Sequence, residues 1–138
     1  MALSTKIDWR AVGTGAVVVI AVGVAVSVSA NVIDLSDDSG GWIVLFWIDV
    51  IGAAVGGWMA GRQRLDTPLL HGALVGALGY VVVGAIGTAI NVAGGHGAPS
   101  PVQVVFALLW LSVGGVIGGG VASWQAGRGA HGRRTPGS

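Results

Sequence analysis

Residues 41–61 read GWIVLFWIDVIGAAVGGWMAG, an apolar run with one acid at its centre. It is about as long as the ~20 apolar residues needed to cross a 30 Å hydrocarbon core. Its single charge, Asp49, stands in the middle, and Arg62 and Arg64 follow directly. Three further stretches resemble it: about Ala11 to Ile33, Leu69 to Ala93 and Val102 to Trp124. Val and Gly would make poor helices in water, but in lipid the backbone must bond within its own segment, so helix is the only form short of a closed barrel. A barrel would show ~10-residue segments alternating polar and apolar, and none is present. The sequence predicts an all-α protein, a four-helix transmembrane bundle over residues 1–126 followed by a disordered basic cytoplasmic tail over 127–138.

Composition agrees. Hydrophobic residues make up 53% of the 138-residue chain and charged residues 9%, against about 25% charged in a soluble domain. Lipid is the expected main partner. The absence of Cys rules out structural disulfides, thiolate metal ligands and cysteine nucleophiles.

The charges then orient the bundle. Lys6 and Arg10 lie at the start of the first span, Arg62 and Arg64 follow the second, and Arg128, Arg133 and Arg134 follow the fourth. The other two connections hold no Lys or Arg, and one holds Asp34, Asp37 and Asp38. The positive-inside rule therefore places both termini in the cytoplasm. Trp9, Trp58 and Trp124 fall near the inner interface and Trp42 near the outer, as an aromatic belt would. The first span ends in Val28-Ser29-Ala30, like a signal peptide, but it exceeds the 7–15 apolar residues of a signal, so an uncleaved helix is expected.

The halves of the chain echo one another. Val55-Gly56-Gly57 with Met59-Ala60 parallels Ile117-Gly118-Gly119 with Val121-Ala122, and Asn31-Val32 parallels Asn91-Val92. Either a parallel two-helix repeat or chance in Gly/Val/Ala-rich sequence accounts for this. Glycine, present 26 times, recurs at four-residue spacing in Gly52/Gly56, Gly72/Gly76 and Gly114/Gly118. This small-xxx-small pattern lets membrane helices approach closely. It is read as helix packing, within one subunit or between subunits, rather than as a pore lining.

Asp49 is the one acid inside a span, about 12 Å below the outer end of its helix at 1.5 Å per residue. A charge at that depth costs at least about 2.5 kcal/mol. Gly52, Ala53, Gly56 and Ala60 share its face, which turns it into the bundle. Ser27, Thr88, Trp110 and Ser112 reach comparable depth as hydrogen-bond partners. Two readings stand: a proton or cation site, or a protonated carboxyl joining helices by hydrogen bonds.

Other candidates carry less. His71 opens the third span at the inner interface, as an anchor or a cytoplasmic pH sensor. His96 lies in a Gly-rich outer loop without a second ligand at metal spacing. The three loop aspartates lack the alternation of an EF-hand, and Ser36 or Ser39 is placed to cap the second helix. There is no Gly-x-Ser-x-Gly elbow, P-loop or His-Glu-x-x-His, and the short loops leave no aqueous domain. No enzymatic activity, cofactor, metal or nucleic-acid partner is expected.

Gly56-Gly57-Trp58-Met59-Ala60-Gly61-Arg62 closing the second span, with His71-Gly72 and Gly76 opening the third, resembles a group of small four-span prokaryotic membrane proteins. The resemblance implies this architecture and a bacterial plasma membrane, and no activity. Small multidrug transporters carry their key acid in the first helix, which here has none. The polar and aromatic signature of small fluoride channels is missing from Leu69 to Ala93. The leading expectation is a structural or accessory subunit, in a homo-oligomer or bound to another membrane protein through its glycine faces. The alternative is a small proton- or cation-coupled transporter or channel using Asp49.

Overall fold

The computed structural model describes residues 7–33, 40–95 and 97–131. It is all-helical, with α1 Trp9–Ile33, α2 Gly41–Gln63, α3 Pro68–Ala93 and α4 Pro101–His131. All four are long and apolar enough to cross a membrane. At 1.5 Å per residue they measure about 35 to 46 Å. The chain is thus a multi-pass, four-helix membrane protein.

Local chemistry fixes several helix ends. Asp8 caps α1: its Oδ1 accepts the N–H of Arg10 at 3.0 Å and of Ala11 at 3.3 Å. Ser100 and Gln103 form a reciprocal capping box around Pro101 at the start of α4. Pro68 opens α3. Beyond the end of α3, Gly95 adopts φ +77°, a left-handed turn suited to glycine. The residue before α2 is Gly40, with no side-chain cap; Ser36, Ser39, Asp34, Asp37, Asp38 and His96 lie outside the described residues.

One boundary differs from expectation. The tail expected to be disordered from residue 127 is helical as far as His131. Arg128 stacks over Trp124, one turn earlier, at 3.7 Å from the ring centroid. A cation near the C-terminal end of a helix is also favoured by the helix dipole. Loss of apolar character marks where α4 leaves lipid, not where its backbone stops bonding.

Burial runs opposite to a soluble protein. Val17, Ile43, Ile51, Ile90 and Leu109 are exposed, while the interior is mostly Gly, Ala and Val, with Leu45, Leu111 and His71. In water that surface would drive association; in lipid it needs no cover. α2 and α3 pack on one another and each touches both α1 and α4, whereas the α1 and α4 backbones do not approach one another among the described residues. The two halves of the chain are therefore not placed equivalently, since a two-fold relation between them would equate the α2–α3 contact with an α1–α4 contact.

The helices meet through glycine. Gly57 of α2 and Gly72 of α3 both lie against the Gly115 carbonyl of α4, Gly76 against that of Leu111, and Gly118 against that of Ala54. Gly114 faces the Val50 carbonyl, where a Cβ would stand 2.8 Å away. Gly15 of α1 and Gly56 of α2 face each other's carbonyl oxygens. Gly52, Gly79 and Gly23 form notches filled by Val22, Val19 and Val83. This tight half lies toward the α2–α3 connection, here termed the basic end. Toward the opposite end the packing loosens: among the described residues, nothing in α1 beyond Gly23 or in α3 beyond Gly79 is buried.

Candidate functional site

Asp49 sits where tight packing gives way to loose. It lines a cavity of about 120 Å³ to which all four helices contribute: Val19 from α1, Phe46 and Asp49 from α2, Tyr80 from α3, Leu111 from α4. The carboxylate is half-buried. Among the described residues no donor hydrogen-bonds it.

The hydroxyls that depth alone nominated turn elsewhere. Ser27 Oγ donates to the Gly23 carbonyl at 2.8 Å, and Ser112 Oγ donates to Leu108 at 2.7 Å. Ser27 faces a crevice of about 250 Å³ between α1 and α3. Thr88 lines a larger one, about 550 Å³, between α3 and α4. Trp110 joins Phe46, Trp47 and Phe106 in an aromatic cluster with ring centroids about 6 Å apart. None of Ser27, Thr88, Trp110 or Ser112 lines the Asp49 cavity.

Tyr80 does line it, and it was not singled out from sequence. Its signal was its rarity, as the one tyrosine in the chain, at mid-span. With Gly84, Tyr80 lines both the Asp49 cavity and the Thr88 crevice, so it stands between them. Val83 likewise belongs to both the cavity and the Ser27 crevice. The cavity thus borders two openings toward the end away from the basic residues.

A second polar cluster closes the basic end. His71 is fully buried. Its Nε2 accepts the Asp8 backbone N–H at 3.0 Å. An acceptor at Nε2 puts the proton of neutral imidazole on Nδ1, which faces the Thr67 carbonyl at 2.9 Å and its hydroxyl at 3.0 Å. The Asp8 carboxylate also accepts from Arg64 Nε at 2.9 Å. The Arg64 hydrogen bond and then the Ala11 amide hold the Asp8 carboxyl below its ordinary value of 3.8, against an opposing effect of burial and with a further contribution from the Arg10 amide. Asp8 therefore ties the start of α1 to the α2–α3 connection and to α3. Sequence reading passed over it, although an Asp just before a helix is an N-cap signal.

Nearby, Trp58 Nε1–H donates to Gln125 Oε1 at 2.9 Å, and the Arg62 guanidinium lies 4.6 Å from the Trp58 ring centroid. Such Trp–Arg groups suit a lipid headgroup boundary. Among the described residues no three His, Cys, Asp or Glu side chains converge as metal ligands would. Comparison with protein-family models, with curated proteins and with solved structures finds no match to this chain.

Proposed function

We propose that this chain is a non-enzymatic protein of a bacterial plasma membrane, with both termini cytoplasmic, that binds a proton or cation at Asp49 as a small transporter or channel. One observation carries the reading: the one mid-span carboxylate faces a cavity lined by all four helices, with no hydrogen-bond donor to it among the described residues. A purely structural Asp49 would spend its oxygens on neighbouring hydroxyls, since an unsatisfied polar group in lipid is costly. Those hydroxyls instead bond their own helices. The loose packing toward the end away from the basic residues supplies a route, and the glycine contacts of the basic half supply the closed side.

The accessory-subunit reading rested on glycine faces awaiting a partner. Gly52, Gly56, Gly72, Gly76, Gly114 and Gly118 are all packed against neighbouring helices of the same chain.

Infrared difference spectroscopy of the full chain in liposomes tests the Asp49 reading. A carboxyl band that responds to proton or cation concentration, and is missing in Asp49→Asn, is the expected result. A carboxyl that responds to neither overturns it.

A further inference from the structure

We infer that the Asp49 cavity takes a small, highly N-alkylated ammonium ion, of the trimethylammonium kind, rather than an inorganic cation. This rests on the reading of Asp49 as a cation-binding carboxylate and adds the chemical class of the ligand.

The walls decide the class. The polar side chains lining the cavity are one carboxylate, Asp49, and one phenol, Tyr80; the rest of the wall is Val, Leu, Phe, Ala and Gly. A hard cation such as Ca²⁺ takes six to eight oxygens, and Mg²⁺ six in near-octahedral array. Neither set can be assembled here, so the lost hydration of a metal ion would go unreplaced. A primary ammonium fares little better, because it brings three N–H donors to a site with few acceptors. A tertiary ammonium brings one N–H for one carboxylate, and a quaternary ammonium none. In both, the charge is spread under methyl groups that suit an apolar wall.

The aromatic residues point the same way. Phe46 and Tyr80, on α2 and α3, line the cavity together with the carboxylate. Alkylated ammonium ions are held by aromatic faces through the ring quadrupole, more strongly where water is excluded. Volume sets the size. A closed cavity of about 150 Å³ accommodates benzene; on that scale about 120 Å³ holds about five non-hydrogen atoms within its walls, and a larger ion would project from its open side. Trimethylammonium and tetramethylammonium fit that space, and tetraethylammonium does not.

One way in passes Tyr80. Its ring packs on Gly84, where a Cβ would meet the ring at 3.5 Å, and the two residues divide the cavity from the crevice beside Thr88. A ligand from that crevice reaches Asp49 by displacing one side chain, with no separation of the glycine-packed helices.

The test perfuses methyl-, dimethyl-, trimethyl-, tetramethyl- and tetraethylammonium, with Na⁺ for comparison, over the full chain in liposomes. The Asp49 infrared band is followed against concentration. Affinity is expected to rise about fourfold with each methyl group up to tetramethylammonium, the value of one buried carbon, and to collapse for tetraethylammonium. Asp49→Asn removes the response. Gly84→Ala keeps the carboxylate and meets only ordinary contact at 3.5 Å, but adds a carbon to the wall. It should weaken tetramethylammonium about tenfold, as overfilling does, and leave methylammonium unchanged. Affinity that is flat or falls along the series, or tetraethylammonium binding as well as trimethylammonium, overturns the inference. If the band answers to protons or Na⁺ but to no ammonium ion, the ligand class is wrong and the Asp49 site stands. If it answers to nothing, both fall.

Discussion

The reciprocal contact of Gly15 with Gly56 can be tested through its own geometry. A Cβ built on Gly56 would stand 2.6 Å from the Gly15 carbonyl oxygen, and one on Gly15 would stand 2.5 Å from the Gly56 oxygen. Ordinary contact begins near 3.4 Å, so either alanine requires α1 and α2 to part by about 0.8 to 0.9 Å. A gap of that size forfeits a quarter to a half of the dispersion energy of each facing atom pair, and overpacking costs about 1–3 kcal/mol. Helix propensity returns up to about 1 kcal/mol for Gly→Ala. Each single variant should therefore lose about 1–2 kcal/mol. Because both alanines demand the same separation, the double variant should lose less than the sum, with a coupling of about 1 kcal/mol. Gly13→Ala and Gly87→Ala, where a Cβ meets nothing within 4 Å, serve as controls and should be neutral or stabilising. Unfolding in bicelles by steric trapping measures all five. If Gly56→Ala is as stable as Gly13→Ala, or the double variant is strictly additive, the helices do not meet at the distance from which this magnitude follows.

The basic end supplies the next predictions. His71→Leu leaves the Asp8 N–H without its acceptor and should cost about 1–3 kcal/mol, with partial recovery in His71→Gln, both read by the same unfolding assay. Asp8 has a lowered folded pKa, so its contribution is complete above the unfolded value and disappears as pH falls through the folded one. Wild-type stability should decline below about pH 4 more steeply than that of Asp8→Asn, and equal acid limbs would contradict the Arg64 contact. The chain has no Cys, so Asp66→Cys and Pro99→Cys can be labelled singly with a membrane-impermeant maleimide in whole cells. Pro99→Cys should react from outside and Asp66→Cys only after permeabilisation; the reverse pattern would invert the topology.

The architecture was legible because apolar length and charge placement act one residue at a time: four runs near 20 residues, basic residues at one set of connections, and no alternation. The end of α4 was not, because hydropathy reports where a helix leaves lipid, and residues 127–131 continue the helix beyond that point. The surroundings of Asp49 were only partly legible for a different reason. Counting residues from a helix end gives depth, but contact also needs the angle around the helix and the rotamer of the partner. Ser27 and Ser112 share the depth of Asp49 and satisfy their hydroxyls on the preceding turn, a bond open to any Ser in a helix. Asp8 escaped notice because it lies just outside an apolar run, and its role depends on Arg64 and His71, 56 and 63 residues away.

The position of the cavity follows from how glycine is used along the bundle. Where glycines face backbone, as at Gly57, Gly72, Gly115 and Gly118, the helices leave no room for a ligand. Where glycines such as Gly87 face nothing within 4 Å, the space is open to lipid and excludes little. A bounded site forms at the seam between these regimes, beside the last glycine contacts with backbone, Gly76 on Leu111 and Gly114 on Val50, and before the helices diverge. Asp49 lies about one turn from the Gly52 notch filled by Val22, and Tyr80 directly follows the Gly79 notch filled by Val19. The chain places its single mid-membrane carboxylate at a level where, among the described residues, all four helices line one space without filling it.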